Sequence, residues 1–156
     1  TTKKGYQTED QLFDLQNDLL NELEEIVRLK IDEYYEEYKS RSSVFISRWP
    51  ASKIMKSWYV RLIQGGYQDA HMHSLGWLSG VVYLNTIEHP ANGEGSIEFG
   101  LHGYDYKILN ENIPKEQYQP SNGDLVLFPS SLFHKTIPVR QNCDRSVIAF
   151  DLMPAS

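Results

Sequence analysis

Apolar positions change their period once along this chain. Over residues 8–38 they recur at helical spacing: Leu12, Leu15, Leu19, Leu23, Ile26, then Val27, Ile31, Tyr34 and Tyr38. Asp18, Glu22, Glu25, Glu33 and Glu37 fill the opposite side, and "TEDQ" at 8–11 has the form of a capping box. The pattern predicts one long helix, or two, over 8–39, laid against the next element and carrying no chemistry of its own. From Val44 the helical period is gone. Short runs rich in β-branched and aromatic residues follow, punctuated by Gly, Asn and Pro. They predict strands near 44–49, 54–64, 77–85, 95–101, 123–129, 132–138 and 145–152. Short strands joined by turns suit a sandwich or jelly roll better than alternating β-α units. The stretch 102–122 reads as a long loop, in the manner of a lid.

Composition adds bounds. The 156 residues, 40% apolar and 12% aromatic, have the make-up of one globular domain spanning 1–156, with a helical segment at 8–39 and a β core at 44–152. The net charge of −6 argues against nucleic acid or a membrane surface as partner. Much of that charge lies between Glu22 and Glu37, so it describes a helix face. The one cysteine, Cys143, excludes an internal disulfide and fits a reducing, cytoplasmic setting. No apolar run reaches membrane-spanning length, and no signal-peptide pattern opens the chain.

Two of the five histidines stand one residue apart in "YQDAHMHSLGWLSG". Residues i and i+2 of a strand face the same side, so His71 and His73 aim at one point if extended geometry holds locally. An imidazole pair aimed at one point is a metal chelate in outline. His134, in "GDLVLFPSSLFHKTIPV", is the best candidate for a third ligand. A satisfied structural histidine is the bland alternative for each. His89 and His102 sit in polar, loop-like surroundings that do not suggest ligands. Eleven positions after His134, Arg145 opens the apolar run "RSVIAFDLM". Its guanidinium either reaches solvent at a strand end or meets a carboxylate with its fork.

Together these segments resemble the iron(II)- and 2-oxoglutarate-dependent oxygenases. That family's pattern is H-x-D/E, a long gap, H, ten residues, then R or K. Here the corresponding residues are His71-Met72-His73, His134 and Arg145. "SGVVYLN" resembles the strand whose tyrosine touches the cosubstrate, which carries over to Tyr83. A subfamily of uncharacterised bacterial and phage members with H-x-H is similar over roughly 5–152. The resemblance implies a mainly β fold, a double-stranded β-helix (jelly roll) with an N-terminal helical segment packed against it. It implies Fe(II) held by His71, His73 and His134, with 2-oxoglutarate and O2 as cosubstrates. Arg145 would pair with the far carboxylate of 2-oxoglutarate, helped by Tyr83; Arg61 would bind the cosubstrate or a substrate anion. Trp77, Leu127 and Phe133 would wall the site, and a small molecule or peptide would be the substrate.

One departure matters. His73 stands where the family usually has a carboxylate, and three neutral imidazoles leave the iron's double charge uncompensated. Asp69, two positions before His71, is the alternative ligand or a hydrogen-bond acceptor behind one. Two rival readings compete. "GDLVLFPSSLFH" also fits the second cupin motif, with Ser131 for its second Gly. A cupin-like three-histidine dioxygenase or isomerase would need no 2-oxoglutarate and would give Arg145 no role. A non-catalytic metal-binding module is the other.

Overall fold

The computed structural model describes residues 2–9 and 11–155. Eight strands and two helices follow in order: β1 (Thr2–Gln7), α1 (Asp18–Tyr38), α2 (Val44–Ser47), β2 (Lys53–Gln68), β3 (Leu78–Asn85), β4 (Ile97–Gly100), β5 (Lys115–Tyr118), β6 (Leu125–Pro129), β7 (Phe133–Thr136) and β8 (Arg145–Pro154). A major sheet runs β1-β2-β8-β3-β6 and a minor sheet β5-β4-β7, with every pairing antiparallel. This is a mainly β, double-stranded β-helix with a helix packed on it.

Alternation along β8 separates two cores. Ile148, Phe150 and Leu152 point outward, where Val27 and Ile31 of α1 and Phe13 cover them. Arg145, Val147, Ala149 and Asp151 point inward and line a cavity between the sheets. Val60, Val81, Ile97 and Phe128 complete that inner face. Gly80 sits where Phe150 crosses β3, and a Cβ there would run into the phenyl ring. No helix among the described residues is long and apolar enough to cross a membrane.

The helix predicted over 8–39 begins at Asp18. Asn17 caps it, its side-chain oxygen accepting from the N–H groups of Leu19 and Leu20 at 3.0 and 3.1 Å. The "TEDQ" groups serve the sheet instead. Thr8 Oγ1 accepts from Tyr59 N at 3.0 Å and Gln11 Oε1 from Ser57 N at 2.9 Å, so neither caps a helix. Asp10 lies outside the described residues. Ahead of it, Thr2–Gln7 forms an edge strand on β2 that the sequence pattern did not predict. The strand expected at 44–49 is the helical turn α2. There Phe45 and Trp49, one turn apart, pack edge-on at 5.6 Å and both meet Tyr34. β5 interrupts the stretch expected to be loop.

Candidate metal centre and active site

β2 ends at Gln68, and three residues later the chain returns to the minor sheet. His71 and His134 form an antiparallel bridge, each backbone N–H donating to the other's carbonyl at 3.0 and 2.9 Å. His73 lies beyond the bridge, with its N–H on Ser130 O at 2.9 Å. The ring centroids stand 4.4 Å (His71–His134), 5.2 Å (His71–His73) and 5.0 Å (His73–His134) apart. One nitrogen from each lies within 4.8 Å of the others.

The nitrogen each ring offers follows from its partners. His71 Nδ1 is 2.6 Å from Asp69 O, His134 Nδ1 is 3.0 Å from Leu132 O, and His73 Nδ1 is 2.6 Å from Asp151 Oδ1. Carbonyl and carboxylate oxygens only accept, so each Nδ1 carries a proton and, in the neutral ring, Nε2 is the nitrogen with the free lone pair. Burial, and then the neighbouring His71, push the His134 pKa down to about 3. Burial also lowers that of His71. Both rings are therefore neutral near pH 7, the form that binds metal. Three converging imidazole nitrogens suit a divalent transition metal.

Behind His73 lies a polar chain. Ser79 Oγ donates to the same Asp151 oxygen at 2.6 Å and is 2.8 Å from Ser130 Oγ. The register between β3 and β8, which sets Ser79 opposite Asp151, brings these groups together.

At the far end of the inner row Arg145 is 3% exposed. Its Nε donates to Gly95 O at 2.8 Å, and its guanidinium carbon lies 5.1 Å above the centre of the Tyr83 ring. Gly95 follows the buried Glu94 in the chain. That carboxylate accepts from the N–H groups of Arg140 and Gln141 at 2.6 and 3.0 Å and from the Gln141 side chain at 2.7 Å. Arg145 Nη1 and the Tyr83 hydroxyl are buried without a hydrogen-bond partner among the described residues. Burial raises the Tyr83 pKa and lowers that of Arg145. The cavity between the two ends measures about 550 Å3 and is lined by all three histidines and Arg145.

A family profile described as "Putative 2OG-Fe(II) oxygenase" matches residues 56–151. The chain belongs to that family. Several solved structures share its fold. HygX from Streptomyces hygroscopicus, solved with nickel and 2-oxoglutarate, superposes with a TM-score of 0.61 at 13% identity, covering 99% of this chain and 71% of that one. A prolyl-4-hydroxylase from Pseudomonas putida gives 0.51 at 18% identity over 65% of this chain and 52% of that one. A 2OG-Fe(II) oxygenase family protein from Burkholderia pseudomallei gives 0.52 at 15% identity over 66% and 46%. The chain thus spans about half the length of the latter two. No curated protein matches it in sequence.

In this family member several residues expected at the site lie elsewhere. Arg61 faces out of the barrel, about half exposed, and its guanidinium pairs with Asp144. It is one residue off the inward parity of Val60 and Leu62, and in a strand that reverses the face. Trp77 stacks on Phe45 at 5.7 Å on the outer side, its Nε1 without a hydrogen-bond partner among the described residues. Leu127 packs into the helix-side core, and Phe133 joins Tyr104 and Tyr106 on the outer face of the minor sheet. The walls are instead Trp58, Val81, Ile97, Phe128, Val147 and Ala149. Asp69 gives its main-chain carbonyl to His71, and its carboxylate stands outside the histidine cluster. Asp151, Ser79 and Trp58 are the site residues that sequence reasoning missed.

Proposed function

We propose that this chain is a non-haem iron(II)- and 2-oxoglutarate-dependent oxygenase of the hydroxylase type, acting as one domain on a small molecule. His71, His73 and His134 hold the metal through Nε2, and Arg145 with Tyr83 holds the distal carboxylate of 2-oxoglutarate. Iron bound there supplies the oxidative step, in which O2 and 2-oxoglutarate yield succinate and CO2 while one oxygen atom enters a substrate C–H bond. The rest is positioning by the protein. Arg145 Nη1 and the Tyr83 hydroxyl donate to the carboxylate, and the Tyr83 ring supports the guanidinium from below. Val81, Val147, Ala149 and Phe128 keep water from the chain between the two ends. Beyond the histidines the cavity opens between Gln7, Thr8, Glu9, Trp58 and Gln68, which leaves room for a second small molecule. HygX, solved with nickel, 2-oxoglutarate and hygromycin B bound, is a precedent for such a ligand pair on this fold. A reducing, cytoplasmic setting, with Cys143 as the one cysteine, is part of the proposal.

The observation that carries the reading is the unpartnered Nη1 of a fully buried arginine in the cavity of the histidines. A buried donor without an acceptor costs about 1–3 kcal/mol, more when charged, and a bound carboxylate recovers it. A cupin-like or structural-metal site has no use for it. The test is anaerobic titration of 2-oxoglutarate into manganese-loaded protein. Wild type should bind, Arg145→Lys should bind more weakly because an ammonium does not reproduce the fork, and Arg145→Ala should lose about 2–5 kcal/mol. Equal affinity in all three proteins, or no binding by wild type, rejects the 2-oxoglutarate reading.

A further inference from the structure

The three imidazoles are not held alike. His71 and His134 each give their Nδ1 proton to a main-chain carbonyl two residues earlier in the chain, Asp69 O and Leu132 O. His73, at the position where the motif usually has a carboxylate, gives its proton to one instead, Asp151 Oδ1 at 2.6 Å. A carbonyl fixes the tautomer as well as a carboxylate does. What the carboxylate adds is a negative charge, one imidazole away from the point where the nitrogens converge.

The surroundings are shaped for that charge. The Asp151 and His73 side chains are 13% and 17% exposed, so solvent screens them little. Ser79 Oγ donates to the same carboxylate oxygen. Since its one proton is spent there, its 2.8 Å contact with Ser130 Oγ is donated by Ser130, and Asp151 stands at the accepting end of a donor chain. Gly76, in the turn after His73, leaves the space this needs. A Cβ there would strike the Ser130 side chain and come within 3.4 Å of the Asp151 carboxyl carbon.

We infer that Asp151 supplies, through His73, the negative charge that a three-histidine set lacks, so that His73 and Asp151 together stand in for the single carboxylate ligand of the motif. Asp151 is a positioning residue: it touches a ligand and not the reacting atoms. The inference rests on the reading that His71, His73 and His134 hold a divalent metal.

The experiment is a thermodynamic cycle on the full chain. Manganese(II) is titrated calorimetrically into metal-free wild type, Asp151→Asn, His73→Asp and the double variant. Asparagine still offers an oxygen to His73 Nδ1, so Asp151→Asn removes the charge and keeps the tautomer. It should weaken manganese binding by about 10- to 100-fold, with unchanged thermal unfolding of the metal-free protein. In the His73→Asp background the charge already sits on the metal, so the same change should alter affinity by less than about threefold. Cobalt(II)-loaded wild type and Asp151→Asn should share their visible band positions, because the ligand atoms are the same. An equal loss in both backgrounds would assign Asp151 to the fold. Wild-type affinity in Asp151→Asn would show its charge to be irrelevant to the metal. Binding that survives His73→Ala but not Asp151→Ala would make the carboxylate itself the ligand. Each of these overturns the inference while leaving the metal site standing. Failure of wild type to bind manganese or cobalt would overturn both.

Discussion

At the histidine end of the cavity each imidazole Nδ1 has its own acceptor, supplied by Asp69, Leu132 or Asp151. At the other end, Arg145 Nη1 and the Tyr83 hydroxyl have none among the described residues. The same two sheets build both ends, and β8 contributes to each. The first end is complete as protein, with rings aimed and tautomers fixed before anything binds. The second is left short of hydrogen bonds that only a ligand supplies. Under the proposed function, pre-organisation and incompleteness correspond to two kinds of binding: a resident ion that needs a rigid donor set, and a consumed cosubstrate that must come and go each turnover.

The largest effect should come from breaking the complete end. His134→Ala removes one of the three converging nitrogens and keeps the main-chain bridge to His71, so manganese binding should vanish from calorimetry, and metal-dependent 2-oxoglutarate binding with it. Retained binding would mean that the converging nitrogens are not the metal site. At the incomplete end the contrast should show as opposite effects on stability and binding. Arg145→Met removes a buried, half-partnered charge, so the metal-free protein should unfold no earlier than wild type. Yet 2-oxoglutarate added to manganese-loaded protein, which at a hundredfold excess over Kd should stabilise wild type by about 2.7 kcal/mol, should leave the manganese-loaded variant unmoved in a thermal scan.

The third effect is a pH dependence confined to the histidine end. His134 has a folded pKa of about 3 against an ordinary 6.5, so between those values the unfolded chain binds a proton that the folded one does not. Stability of the metal-free protein is then full above the ordinary value and falls as pH drops through the window. The slope is about 1.4 kcal/mol per pH unit for this group, with His71 adding in the same sense. Urea unfolding of chelator-treated protein at pH 7, 6 and 5 should show the fall, and His134→Gln should flatten it. The smallest effect is expected from Tyr83→Phe, which removes one of the two unmet donors. It should cost 2-oxoglutarate binding about 1.5 kcal/mol, the low end for a bond to a charged group. Unchanged affinity would leave Tyr83 as a support for Arg145 alone.

Much of this contrast was legible in the sequence. The H-x-H pair, His134 and Arg145 carry their residue types and spacing openly, and the structure brings all four to one cavity. Less legible was whatever depends on register. Arg61 lies a single position off the inward parity of β2, and Asp151 shares parity with Arg145 along β8, so counting by twos from Arg145 reaches it. Asp69 was weighed for its carboxylate when its carbonyl does the work, and a carbonyl has no signature in a sequence. The helical period around Val27 and Ile31 was plain, but the start was set ten residues early because Thr8 and Gln11 spend their side chains on β2. β1 and β5, "TKKGYQ" and "KEQY", are polar and largely exposed, so no alternation betrays them. The turn α2 was too short for its period to outweigh a β-like composition.

β1 has a further consequence. It lies outside residues 56–151, which carry the family match, yet Gln7 and the following Thr8 and Glu9 form part of the cavity's open wall. An edge strand is joined to the barrel along one side only. Exchanging this short N-terminal strip would therefore change what borders the cavity without replacing a histidine or Arg145.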